Sequence, residues 1–218
     1  MFRTHLSLEE SYQRLKPHLL QFNAILCAND IVAVFLLRRL KQDGYTVPEQ
    51  LYLFSYSYSH LAESVTPGIS GVSLDHEETG RQAVRLYSWL LRQKPCTSVS
   101  VRVRSWIIVR QSTEMQQPSI GEIVFPQPSG TTEDIYLYHD KEAIRLQDCE
   151  SIMATCDETD FQLIRGLLEE KSYTRLEEEL FLSSYALRYR IKRLLNLTHC
   201  ESRYELIEFL KYYHSLFS

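Results

Sequence analysis

The chain has 218 residues, 44% hydrophobic and 24% charged, which suits one large or two small globular domains and excludes a disordered or fibrous protein. No apolar run approaches the roughly 20 residues that span a bilayer, and residues 1–21 are amphipathic rather than built as a signal peptide; no membrane partner and a cytoplasmic location are expected. A formal net charge of −4 excludes nucleic-acid binding through the field of the whole molecule, so any such contact needs a local basic patch.

The first 110 residues alternate helical and strand patterns. Ser7-Leu8-Glu9-Glu10 has capping-box spacing, and Leu8, Tyr12, Leu15, Leu19 and Leu20 extend it as a helical stripe. Ala24 to Ala28 is a short apolar run suited to a buried parallel strand. Asn29 or Asp30 caps the helix predicted from Ile31 to Gln42, and Asp43-Gly44 supplies its stop. Leu51 to Tyr56 and Ile69 to Leu74 predict two more strands. Asp75-His76-Glu77-Glu78 repeats the capping-box spacing and opens a helix through Arg92, with Ala83, Val84, Tyr87, Leu90 and Leu91 on its apolar face and Lys94-Pro95 as its end. Val99 to Arg110, β-branched residues alternating with Arg, predicts a strand or hairpin. Strands alternating with helices imply βαβ units around a parallel sheet.

Residues 111–130 carry the Pro, Ser and Gly of a linker. Ile135 to His139 and Ala143 to Gln147 flank Asp140-Lys141-Glu142, which reads as a hairpin. From Asp157 the pattern is helical to the end. The fold class expected is α/β, a partial lobe with a parallel sheet (1–113), followed by a linker with a hairpin (114–155) and an all-α bundle (156–218). Five scattered cysteines, Cys27, Cys96, Cys149, Cys156 and Cys200, form no CxxC pair and have no His at zinc-finger spacing. Reduced thiols are expected, with no disulfide framework, structural metal or cofactor.

The C-terminal helices are short and closely connected. Thr159 to Glu170 turns Phe161, Ile164, Leu167 and Leu168 inward; Thr174 to Leu180 buries Leu176 and Leu180; Phe181-Leu182-Ser183 is a tight connection. Ser183 or Ser184 caps the next helix, to about Leu195, and Ser202 caps the last, with Leu206, Ile207, Leu210 and Tyr213. At about 100° per residue, Leu187, Ile191, Leu194 and Leu195 lie on one side of the third helix. Tyr185, Arg188, Tyr189 and Lys192 lie on the other, with Arg193 at the edge. Its neighbours are acidic: Glu169, Glu170 and Glu177-Glu178-Glu179 upstream, Glu201, Glu205 and Glu208 downstream. Arg and Lys can reach guanine or phosphate from a major groove, and Ser with free amides at a helix start can hold phosphate. A solvated basic face gives the same pattern without DNA.

The stretch TDFQLIRGLLEEKSYTRLEEELFLSSYALRYRIKRLL, with the later SRYEL, resembles a LuxR-type (GerE-like) helix-turn-helix domain. Leu176, Leu180, Leu182, Ser183, Leu187, Arg190, Leu194, Leu195, Ser202, Arg203, Glu205 and Leu206 occupy the family's pattern positions. The resemblance implies base contacts from Arg188, Tyr189 and Lys192, with Arg193 beside them; Tyr185 on the same face and Ser183 and Ser184 at the helix start complete the expected DNA-binding set. Ala186 in place of Thr, the bulky Tyr189 and the acidic Glu177 to Glu179 depart from the pattern. LRYRIKR also resembles the PucR-type helix-turn-helix, which implies the same function.

Residues 22–113 resemble the effector domain of LacI/GalR-type repressors, a periplasmic-binding-protein fold. The resemblance rests on FNAILCANDIVAVFLLRRLKQDGYTVPEQLYLFSYS, TPGISGVSLDHEETGRQAV and SWIIVRQST in combination. It implies that Asn29 faces a ligand cleft and that Ser57 stands where that family has Asp, between Tyr56 and Tyr58. Asn29 serves equally as a helix cap, and the tyrosines equally as packing groups or as platforms for a sugar ring. The resemblance lacks one wall of the cleft, which implies either a fragment of a longer regulator, the reading preferred, or a degenerate relative whose half-domain serves association.

No GxSxG, P-loop or HExxH occurs, residues 68–71 precede a strand rather than joining strand to helix, and the seven His are dispersed; no enzyme is expected. The sequence therefore predicts a transcription regulator that binds double-stranded DNA as a homodimer, with a small-molecule effector, sugar or related. The alternative is a protein-interaction module that does not bind DNA.

Overall fold

The computed structural model describes residues 7–92, 99–114 and 140–216. Ser7 forms the expected capping box with Glu10 and starts α1 (Leu8–Leu15), which continues into a 3-10 turn over Lys16–Gln21. β1 (Ala24–Cys27) leads into α2 (Asp30–Gln42), capped by Asn29 and stopped where Gly44 takes a φ of 83°. β2 (Tyr52–Ser55), α3 (His60–Ser64) and β3 (Ser70–Leu74) follow, then α4 (His76–Leu90) and β4 (Ser105–Ile108). The sheet has the order β1-β2-β3-β4. β1 pairs with β2 in parallel from Ala24 opposite Tyr52 to Cys27 opposite Ser55, and β2 pairs with β3 in parallel at Phe54 and Ser70. β4 departs from the all-parallel expectation: it runs antiparallel to β3, Gly71 facing Ile108.

α2 is the centre of this lobe, burying Ala33, Val34, Phe35, Leu36, Leu37 and Leu40. α4 is its opposite. Asp75 caps it as expected, but no residue of it is buried, and Val84, Tyr87 and Leu91 are 67%, 65% and 70% exposed. The face that its amphipathic pattern assigns to the core has no cover among the described residues.

The expected hairpin around residue 140 is a helix. α5 (Lys141–Thr155) is capped by Asp140, whose side chain accepts from the amides of Glu142 and Ala143. Ala143, Leu146, Cys149 and Ile152 recur at three-residue steps and are fully buried; each is a helical neighbour of the next, and the set winds around α5 rather than keeping to one face. The first arm of that hairpin, 135–139, lies outside the described residues. α5 packs on α2 and α3 on one side and on α8 on the other. The remaining helices are α6 (Glu158–Leu168), α7 (Tyr173–Leu180), α8 (Ser184–Leu197) and α9 (Arg203–Ser215). Gly166 lets α6 and α7 close up: a Cβ there would stand 2.3 Å from Leu176 Cδ2.

Candidate functional sites

At the C-terminal ends of β1 and β2 two loops are tied together. Tyr56 N donates to Cys27 O (2.9 Å), extending the ladder, and Asp30 N donates to Ser57 Oγ (3.0 Å). Gly71 of β3 makes room for this loop, since a Cβ would lie 2.3 Å from the Ser57 carbonyl oxygen. Three of the four residues expected to meet a ligand are therefore also engaged structurally. Asn29 Oδ1 accepts from Val32 N (3.0 Å) as the cap of α2, Ser57 Oγ holds the Asp30 amide, and the Tyr58 hydroxyl donates to Glu63 (2.9 Å) with its ring against Arg110. Tyr56 alone is largely free, 61% exposed with its ring edge-on to Phe54.

Asp30, which the sequence offers only as an alternative cap of α2, is the further residue at this junction. It is 4% exposed, and neither carboxylate oxygen has a hydrogen-bond partner among the described residues. An unpaired buried carboxylate is costly, and this one adjoins the Asn29 cap at the loop junction. The α2 amides and the acidic start of a helix account for an Asp at this position in the pattern; its burial was not legible there.

The second candidate surface is on α8. α7 ends at Phe181, whose φ of 53° puts it in the left-handed region, so that the chain reverses within three residues. Ser183 then caps α8 by accepting from Ala186 N (3.2 Å). Leu187, Ile191 and Leu194 are buried as expected. Ser184, Tyr185, Arg188, Tyr189 and Lys192 are exposed on the other side, and no ion pair engages Arg188 or Lys192 among the described residues.

Arg193 corrects the sequence reading. It was expected beside these residues, yet its guanidinium turns inward and pairs with Asp160 of α6, a carboxylate with no solvent exposure. Arg190 pairs with the same carboxylate (2.7 Å) and with Asp157 (2.9 Å). Asp157 is held below the usual carboxylate range, first by the Asp160 amide that donates to it and then by the Arg190 guanidinium. Two cations thus fix α8 against α6, and two remain on its outer face. On α7, Glu179 is taken up by Lys171 and Arg175 rather than by α8.

The lobe is a parallel βαβ arrangement with polar loops at the carboxyl ends of β1 and β2, the end of an open α/β sheet at which ligands are generally bound. Residues 3–113 match the family described as periplasmic binding protein-like domain, and the chain belongs to that family. More particularly, the domain is of the kind carried by LacI/GalR/PurR-type transcription regulators. The HTH-type transcriptional regulator GalR of Streptococcus thermophilus is 28% identical over 92 residues, which are 42% of this chain and 28% of that protein. The HTH-type transcriptional repressor PurR of Mannheimia succiniciproducens is 22% identical over 91 residues, 42% of this chain and 27% of that one. The chain thus spans little more than a quarter of these curated relatives. Among solved structures, a LacI family regulator from Arthrobacter sp. FB24 in complex with lactose is 30% identical, with a TM-score of 0.43, over 49% of this chain and 41% of that one.

Proposed function

We propose that this chain is a DNA-binding transcription regulator in which α7, the Phe181–Ser183 turn and α8 form a LuxR-like helix-turn-helix, with α8 presented to a major groove. The observation that carries the reading is the division of the α8 cations. Arg190 and Arg193 are consumed by Asp157 and Asp160, while Arg188 and Lys192 stay exposed on one face with Ser184, Tyr185 and Tyr189, with no ion pair among the described residues. That face suits bidentate contact to guanine and charge contact to phosphate. Among the described residues no acidic side chain pairs with Arg188 or Lys192, which favours this reading over the interaction module.

The loops bearing Asn29, Tyr56, Ser57 and Tyr58 form one wall of an effector cleft, for a sugar or a related polar small molecule. Two copies bind together, dimerisation through the α/β lobe setting the spacing of half-sites. The function is regulatory and cytoplasmic, without catalysis.

The test is selection of a random duplex library by the full chain at low and moderate salt. Enrichment of one motif is expected, lost in Arg188→Ala/Lys192→Ala. Failure to retain any duplex even at low salt would overturn the reading, because phosphate contacts are strongest there.

A further inference from the structure

α5 carries acidic side chains that leave it in different directions. Glu150 reaches the sensing lobe: its carboxylate accepts from the amides of His60 (3.2 Å) and Leu61 (2.6 Å), and lies 3.1 Å from His60 Nδ1. Those amides open α3, immediately after the loop of Tyr56, Ser57 and Tyr58. Ser59 takes the next donor, Ala62 N, so the first turn of α3 is satisfied only with the help of α5.

Asp148 reaches the other way. Its carboxylate is 3.1 Å from Nδ1 of His199, which stands in the turn that ends α8 with a φ of 51°. The Asp148 side chain is 8% exposed and that of His199 75%. Burial raises the Asp148 carboxyl above its usual range, while His199 opposes the shift. A third strut lies at the start of α5. Glu142 accepts from Arg38 of α2 (2.5 Å) and from the Tyr212 hydroxyl of α9 (2.9 Å), and Arg38 also donates to Tyr212 (3.0 Å). α2 is the helix capped by Asn29.

We propose that α5 is the element through which the effector loops and the recognition helix sense each other, with Glu150 and Asp148 as positioning residues. Resting on the regulator reading above, the proposal names how its two surfaces are linked. The helix that follows each effector loop is tied to α5 by a strut, α3 through Glu150 and α2 through Arg38. The bundle reaches it through His199 and Tyr212. Leu146, Cys149 and Ile152 are fully buried between the two, so α5 cannot move against one side without disturbing the other. A change in the cleft loop therefore displaces the end of α8, and by linkage a change at α8 is felt in the cleft loop.

The experiment needs neither effector nor DNA. Amide hydrogen exchange is measured on the full chain carrying Glu150→Gln or His199→Ala, the latter a largely exposed side chain whose removal leaves the core intact. Glu150→Gln is expected to speed exchange at 195–202 about fivefold or more, and His199→Ala to do the same at 56–64, the low end for coupled sites. Exchange in α1 stays unchanged and reports global stability. Effects confined to each variant's own contacts would overturn the proposal, and so would equal acceleration everywhere. Retention of duplex by the same variants is read separately. Cross-coupled exchange without DNA binding would leave the linkage standing and sink the regulator reading, whereas DNA binding without cross-coupling would do the reverse.

Discussion

Arg190 and Arg193 end on one carboxylate, Asp160, that solvent does not reach. Removing one partner of such a group leaves charge insufficiently compensated, whereas removing an exposed cation costs little. Arg193→Ala is expected to lower stability by about 2 kcal/mol, since Arg190 still covers Asp160, and Lys192→Ala to leave the urea midpoint unchanged. If both variants melt alike, the assignment of inner and outer cations fails. Asp157 adds a pH dependence. Its folded pKa is depressed, so its contribution is present above the usual carboxylate value of about 4 and is lost as pH falls through the lower folded value. Urea midpoints measured from pH 5 downward should fall less steeply for Asp157→Asn, which keeps a cap acceptor but cannot titrate. The sequence shows that α8 is amphipathic and basic, but a 100° projection puts Arg193 at a boundary. A long side chain there is turned by its partner, and Asp160 lies 33 residues away in sequence, so the pairing was not legible.

Helices capped by a local side chain were the most legible elements, because cap and first turn lie within four residues of each other. Ser7, Asn29, Asp75, Ser183 and Ser202 all cap the helices whose starts they mark. α5 was misread although it has the same signature. The five residues Ala143 to Gln147 are too few to separate a period of 2 from one of 3.6, and the apolar positions that decide it, Cys149 and Ile152, lie beyond them. Asp140 does double duty here. One carboxylate oxygen caps α5, and the other accepts from Leu8 N at 2.7 Å, joining the starts of α1 and α5 across 132 residues. Asp140→Ala is expected to cost more than an ordinary cap, about 2 kcal/mol, by thermal or urea denaturation. Asp140→Asn, which keeps an acceptor for one of the two helices, should recover part of it. Equal loss in the two variants would mean that charge, not the pair of bonds, is what Asp140 contributes.

At the scale of the whole molecule, the hydrophobic core does not break at the boundary that composition suggests. Leu8, Phe35 and Leu37 of the lobe, Leu146 and Ile152 of α5, and Leu187 and Leu210 of the bundle belong to one cluster of buried side chains. A cut within α5 would open both sides of that core, so DNA binding is better measured on the full chain than on residues 150–218. The same continuity predicts one cooperative unfolding unit. Its reporters are already in place: Cys27 is buried on β1 and Cys149 on α5, and burial pushes both thiols up to about 12. The raised value favours the native state fully below the free thiol range and loses its effect as pH climbs from about 9 toward 12, so labelling near pH 8 leaves stability undisturbed. At that pH neither thiol reacts until its surroundings open. Single-cysteine chains retaining Cys27 or Cys149 should therefore be alkylated with the same opening free energy, equal to that of global unfolding by urea. A markedly smaller value for Cys27 would mean that the lobe opens while the bundle stays folded. Helix α5 would then be a support for the bundle alone, not a shared member of both halves.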